Sequence, residues 1–247
     1  MTASPKVIAV TGASRGIGAA IALELARRGH VVGCLARSGK GPDTSGEAPA
    51  AGRFIGIVCD VTREASVKDA LAKLADTAGA LNGLVNNAGI LREGVSHELP
   101  TATYEEVMTT NATSAFVCSR EAYPHLVRAG GGIIVNIGSF FDKIGVKRNL
   151  AYCASKAALG AITRCLAVEW GARGIRVIDV APGYIETDLN REAFAGPLRE
   201  YLAKRIPGRK HGTAGDVARL VAAIYGEDIP FLTGETIYID GGQGIAH

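Results

Sequence analysis

The stretch "KVIAVTGASRGIGAAIALELARR", residues 6–28, decides the fold. Behind one lysine, four apolar residues run without alternation, as in a strand covered on both faces. Residues 15–28, "RGIGAAIALELARR", carry the alanine, leucine and glutamate content of a helix. Between strand and helix lies "TGASRGIG", with Gly12, Gly16 and Gly18 spaced Gly-x-x-x-Gly-x-Gly around Ser14, Arg15 and Ile17. Gly12 permits a tight turn off the strand, Gly16 lets backbone approach a pyrophosphate, and Gly18 lets the helix pack close to the sheet. The helix start turns unpaired N–H groups and its positive dipole end toward such an anion. A glycine triplet alone is a weak signal. Set between a strand and a helix, it gains force.

Outward from this unit the alternation repeats. Strand-length apolar runs recur at "VVGCLA" (31–36), "FIGIV" (54–58), "GLVNN" (83–87), "GIIVNI" (132–137), "IRVIDVA" (175–181) and "ETIYID" (235–240). Helix-like stretches fall among them, such as "REASVKDALAKLADTA" (63–78) and "YCASKAALGAITRCLAVEWGA" (152–172). The pattern predicts an α/β fold of Rossmann type: a doubly wound, parallel, seven-stranded sheet with helices on both faces. Residues 1–247 read as a single dinucleotide-binding and catalytic domain. Two segments depart from the alternation. Residues 38–53, "SGKGPDTSGEAPAAGR", are rich in glycine and proline and predict an irregular, mobile loop. Residues 183–212 hold two short amphipathic pieces between glycines and prolines, the pattern of a substrate lid.

Composition narrows the class. Of 247 residues 47% are hydrophobic and 21% charged, with a formal net charge of +3, so no basic excess marks a nucleic-acid binder. Charges interrupt every apolar stretch well before ~18 residues, which predicts no membrane span. The N-terminal residues lack the features of a secretory signal. Five cysteines (Cys34, Cys59, Cys118, Cys153, Cys165) show no CxxC or ligand spacing, which predicts reduced thiols in a cytoplasmic protein without a bound metal.

The sequence "AYCASK" (151–156) sets Tyr152 four residues before Lys156, on one face of a helix. Alone, the pair reads as chance helix neighbours. A tyrosine of ordinary pKa ~10 is a poor proton carrier at neutral pH. An ammonium within ~4–6 Å lowers that pKa and brings the phenol toward acid–base use.

These motifs occur in the order of the short-chain dehydrogenase/reductase family, which the chain resembles from Val7 to Gly242. "TGASRGIG" is followed by "NNAG" (86–89), Asn111, Ser139, the Tyr152–Lys156 pair, and Pro182–Gly183 before Thr187. The resemblance implies hydride transfer between a nicotinamide cofactor and a carbonyl or secondary alcohol. It implies that Tyr152 moves the proton, Ser139 bonds the substrate oxygen, Asn111 holds a relay water, and Lys156 also grips the cofactor ribose. Asp60 and Val61 resemble the pair beside the adenine, Asn87, Ala88 and Gly89 line the ribose, and Ile185 belongs to the cofactor set with Thr187. Where NAD-preferring relatives carry aspartate stands Ala36, followed by Arg37; with Arg15 in the loop, two guanidinium groups are available to clamp a 2′-phosphate, which implies NADP.

The overall pattern is closest to 3-oxoacyl-acyl-carrier-protein reductases, which implies a substrate linked to CoA or carrier protein. Phe141, Asn149 and Tyr184 are candidate substrate contacts beside Ser139 and Tyr152. Residues 140–150 and 184–210 each carry a small cationic excess, including Lys143, Lys147 and Arg148, and Arg173 matches a basic position near the site entrance of carrier-protein reductases. Two departures point elsewhere: "SFFDKIG" puts bulky rings where small residues are usual, and "VIDVAPG" has Ile178 for the usual asparagine. These suit a small cyclic or aromatic ketone; a non-catalytic NADP-binding sensor is a third reading. Relatives of this size are commonly homotetramers built through helices at 103–128 and 150–172.

Overall fold

Strand β1 (Val7–Thr11) is buried along its whole length. In this computed structural model, residues 5–44, 52–187, 192, 194 and 196–246 are described. Around β1 lie β2 (Val31–Ala36), β3 (Arg53–Val58), β4 (Gly83–Asn86), β5 (Gly132–Ile137), β6 (Ile175–Pro182) and, past a short pair β7 (Ile185–Glu186) and β8 (Gly212–Thr213), β9 (Thr236–Ile239). Seven form one sheet in the order β3-β2-β1-β4-β5-β6-β9, every pairing parallel. The chain reverses its direction of winding between β1 and β4. Sheets of this kind bind ligands in the crevice at the carboxyl strand ends beside that point.

Helix α1 (Gly16–Arg27) covers one face, with Ile21 and Leu25 on Ile8 and Val10. Helices α2 (Glu64–Ala78), α4 (Ser114–Arg128) and α5 (Leu150–Trp170) cover the other, where Leu71, Leu126 and Leu166 meet Ala9, Leu84 and Val177. Successive strand residues face opposite ways, so a sheet covered twice requires the continuous apolar runs seen in the sequence. Helix α3 (Thr101–Met108) enters α4 through a π-turn, Thr109–Thr113. Helix α6 (Pro197–Arg205) stands in the segment expected as a lid, and α7 (Ala214–Gly226), started by a capping box of Thr213 and Asp216, joins α1 on its face.

Several expectations change in detail. Strand β3 takes Arg53 from the predicted loop and, as an edge, leaves Val58 66% exposed. The β7–β8 pair is too short to leave a periodic signal. Residues 45–51 of the expected loop, and 188–191, 193 and 195 of the expected lid, lie outside the described residues. All five cysteines are free; burial pushes the Cys34 thiol up to about 12 and Cys59 to about 11, so both stay protonated and inert. Among the described residues no helix is long and apolar enough to cross a membrane, and no cluster of metal-ligating side chains occurs.

Candidate active site

The glycine loop is shaped by close backbone contact. Gly12 and Gly16 have φ of 65° and 58°, which side-chain-bearing residues rarely adopt. A methyl on Gly18 would stand 2.3 Å from the Gly12 carbonyl and 2.4 Å from Asn87 Nδ2. Thr11, at the end of β1, ties this loop to the next strand end. Its Oγ1 accepts the N–H of Asn87 (2.9 Å) and of Ala88 (3.0 Å), while Asn87 Nδ2 donates to the Thr11 carbonyl (2.9 Å).

The loop fits a dinucleotide phosphate. A methyl on Gly16 would meet nothing nearer than Thr187 Cγ2 at 3.9 Å, and no side chain at the N-cap, Arg15, satisfies the first amides of α1. A cleft of about 460 Å³ opens there, lined by Ser14, Arg15, Gly16, Pro42, Asp43 and Thr187 among others. Ala36 is buried at the end of β2 and Arg37 is exposed beyond it. Asp60 lies near Arg37, but its carboxylate accepts the Thr62 amide (3.0 Å) and hydroxyl (2.7 Å), and these bonds hold its pKa below the ordinary range. That side chain builds the turn into α2. Val61 follows it, partly buried. Pro182 ends β6; Gly183 then donates to the Ile239 carbonyl (3.0 Å), and Ile185 and Thr187 lead from β7 back over the glycine loop.

The second half of the site forms where β5 meets α5. Ser139 follows β5 and starts a 3-10 turn, Phe140–Asp142, where its Oγ accepts the Phe141 amide (3.3 Å); it lies beside the Tyr152 side chain. Lys156 is 5% exposed, its Nζ donates to the Ile137 carbonyl (2.7 Å), and it lies 5.6 Å from the Tyr152 ring centroid. The four-residue spacing does set phenol and ammonium on one face. Against the expected lowering, burial pushes the Tyr152 pKa up, the nearby Ser139 hydroxyl opposes that, and the Lys156 ammonium donates to Ile137. Burial also pulls Lys156 down to about 8, against the opposing charge of Asp179.

Asn111 stands in the π-turn, 2% exposed. Its Oδ1 accepts the Ile90 amide (2.8 Å), and its Nδ2 donates to the Ile90 carbonyl (2.9 Å) and to Ser155 Oγ (3.0 Å). Ser155 in turn donates to the Tyr152 carbonyl (2.8 Å), so Asn111 is linked to the tyrosine through one hydroxyl. Gly89 faces Asn111 Oδ1, where an added methyl would come to 3.3 Å.

The substrate candidates form an aromatic wall. Phe141 meets Tyr152 edge-on at 5.9 Å and Tyr184 at 6.0 Å. Asn149 holds the N-cap position of α5 without a side-chain capping bond; its Nδ2 donates to the Lys147 carbonyl, and its buried Oδ1 has no hydrogen-bond partner. Much of the expected positive mouth is engaged elsewhere: Lys143 sits 3.4 Å over the Tyr238 ring, and Arg148 lies 3.8 Å from Glu93. Arg173 stands at the far end of α5, roughly 30 Å along the helix from Tyr152, so it does not border this chain's own site.

Sequence reasoning missed Thr11 and Ser155, and it missed a polar row across the sheet. Asn86, Asn136, Asp179 and Thr236 are register partners on β4, β5, β6 and β9. Asn86 Nδ2 donates to Asn136 Oδ1 (2.8 Å) and Ser119 Oγ (3.0 Å), and Asn136 Nδ2 donates to Thr163 Oγ1 (2.8 Å). Polar residues inside otherwise apolar strand runs were the available signal.

Comparison with known proteins agrees with this geometry. A family model described as enoyl-(acyl carrier protein) reductase matches residues 12–243. A 3-oxoacyl-(acyl-carrier-protein) reductase, FabG, from Pseudomonas aeruginosa is 38% identical over 245 residues, 98% of this chain and 99% of its own length. A D-threitol dehydrogenase from Mycolicibacterium smegmatis is 33% identical over 97% of this chain and 93% of its own. The crystal structure of a dehydrogenase/reductase from Sinorhizobium meliloti 1021 superposes with a TM-score of 0.87 at 35% identity, covering 98% of this chain and 96% of that one. With the glycine loop, the strand-end serine and the Tyr152–Lys156 pair at one crevice, the chain belongs to the short-chain dehydrogenase/reductase family, as a nicotinamide-dependent oxidoreductase acting on a CH–OH group.

Proposed function

We propose that the protein is an NADP(H)-dependent reductase of 3-oxoacyl thioesters. The observation that carries the reaction is the grouping of Ser139, Tyr152 and buried Lys156 at one strand end. A bound nicotinamide supplies or accepts the hydride. Tyr152 gives its phenolic proton to the substrate oxygen, and Ser139 orients that oxygen by a second hydrogen bond. Lys156 supports the phenol electrostatically and holds the ribose hydroxyls, while Asn111 anchors the relay through Ser155.

For NADP over NAD, support comes from exposed Arg15 and Arg37 with no carboxylate at Ala36. The substrate class rests on the acyl-carrier reductase among the relatives and on the cationic excess of residues 140–150 and 184–210 in the sequence. Residues 183–212 serve as the lid, and residues 1–247 act as one catalytic domain in the cytoplasm. Outward-facing Phe116 on α4 (40% exposed) and Val168 on α5 (85% exposed) favour assembly into a homotetramer through these helices.

The test compares a 3-oxoacyl-CoA with the matching simple ester, using NADPH. The thioester is expected to show the higher kcat/KM, with an advantage that shrinks as salt shortens the field to ~8 Å. Equal efficiency, or a preference unmoved by salt, returns the assignment to a neutral ketone.

A further inference from the structure

In the row Asn86–Asn136–Asp179–Thr236, three members are neutral and one is a carboxylate with 0% exposure. Asp179 Oδ2 accepts from Thr236 Oγ1 at 3.2 Å; Oδ1 makes no full hydrogen bond, and the Gly138 amide, which donates to the Val180 carbonyl (2.8 Å), gives the charged carboxylate only partial support. Its neighbour Asn136 directs its amide to Thr163 and its oxygen to Asn86. A buried carboxylate half satisfied in this way is costly to the fold. Its presence calls for a compensating role.

Its surroundings supply one. Gly138 leaves the room it needs, since a methyl there would stand 2.5 Å from Oδ1. Gly138 lies between Ile137, whose carbonyl accepts from Lys156, and Ser139. The carboxylate is therefore packed against a backbone stretch, Ile137–Ser139, that holds the lysine at one end and carries the serine at the other. Lys156 on α5 is the cation facing it, and Asp142 on the 3-10 turn is the other charge; Thr236 and Asn136, on the flanking strands, are neutral. Toward Lys156, the charge that acts is Asp179, and Tyr152 is its titratable neighbour.

We propose that Asp179 is a positioning residue for the proton-transfer pair, its buried carboxylate keeping Lys156 charged and so setting the alkaline limit of turnover. The inference rests on the roles proposed for Tyr152 and Lys156. Burial drives Lys156 down to about 8, and Asp179 resists it; burial drives Asp179 up to about 6, and Lys156 resists that. Between those values both groups are charged. Above them the ammonium loses its proton, and the phenol loses its cationic neighbour. Neutralising Asp179 closes this window from the alkaline side.

The test is Asp179→Asn, which keeps shape and can still accept from Thr236. The lysine amines are titrated by 15N NMR in the protein without substrate, with Lys156 assigned by its loss in Lys156→Met. In the unmodified protein its resonance should titrate near 8, with a smaller inflection near 6 as Asp179 takes its proton. In Asp179→Asn the midpoint should fall by about one pH unit, the inflection should vanish, and the alkaline limb of kcat should move down with it. If the variant does not fold, the inflection in the unmodified protein decides alone, and its absence overturns the proposal. An unmoved amine midpoint, or a moved midpoint with an unmoved kcat limb, also overturns it. Because the amine titration needs no turnover, a wrong substrate or cofactor assignment would leave that result standing.

Discussion

Strands β1 and β2 lie in the same sheet as β4, β5 and β6, and the two groups are filled by opposite rules. Val7 to Val10 and Val32 to Ala36 are non-polar apart from the Cys34 thiol, which donates weakly to the Val32 carbonyl (3.8 Å), and Thr11 adds side-chain hydrogen bonds at the strand end. Asn86, Asn136 and Asp179 put polar groups into the interior of the other half. The difference follows from what each half presents. Around the glycine loop, backbone amides and exposed arginines are the groups proposed to meet the cofactor, so the strands beneath need only pack. Beside Tyr152 and Lys156, titratable side chains must stay at fixed separation inside a low-dielectric interior. A connected buried network provides that rigidity, at a risk wherever a member is left unpaired.

This contrast can be broken at its ends. Tyr152→Phe should remove more than ~99% of kcat, a barrier increase above ~2.7 kcal/mol, while NADPH binding measured by fluorescence stays near that of the unmodified protein. Retention of a tenth or more of kcat would show that the proton comes from elsewhere. On the apolar side, Ala36→Asp with Arg37→Ser should lower the NADPH-to-NADH ratio of kcat/KM by ~10–100-fold, since a charge-assisted bond is lost and repulsion is added. Comparable efficiency with both cofactors in the unmodified protein would sink the phosphate assignment before any mutation. The smallest effect compares the two interiors directly. Asn136→Leu strands its partners and should cost ~2–3 kcal/mol in denaturant melts, whereas Ile8→Val should cost ~0.5–1.5 kcal/mol. Equal costs would mean that the polar row is not a network.

Much of this was legible in the chain. The glycine spacing gives the β1–α1 turn, the continuous apolar runs give all seven strands, and the Tyr152–Lys156 interval gives the shared helix face. These signals are local or periodic, and the backbone alone turns them into geometry. Other features depend on register between distant segments. Asn86, Asn136, Asp179 and Thr236 are far apart in sequence and meet only because four strands align. Ser155 looks like filler in "AYCASK" until Asn111 arrives from a different helix. The direction of the Tyr152 shift was equally hidden, because proximity to lysine can be counted in the sequence and burial cannot.

A helix that changes its winding in mid-course cannot be shortened freely. Before the π-turn Thr109–Thr113, Val107 is buried; within it, Asn111 is pinned to Ile90 by two hydrogen bonds. After it, Ala115, Cys118, Ala122 and Leu126 face the sheet. A π-turn holds one residue more than the α-turn it replaces, so loss of one residue between Thr109 and Thr113 would leave the flanks near their present phase but take Asn111 out of the widened turn and off Ile90. One further residue, with no wide turn to absorb it, would rotate the sheet-facing row of α4 by about 100°. Descendants of this gene can therefore exchange side chains along the stretch far more readily than they can insert or delete a codon within it.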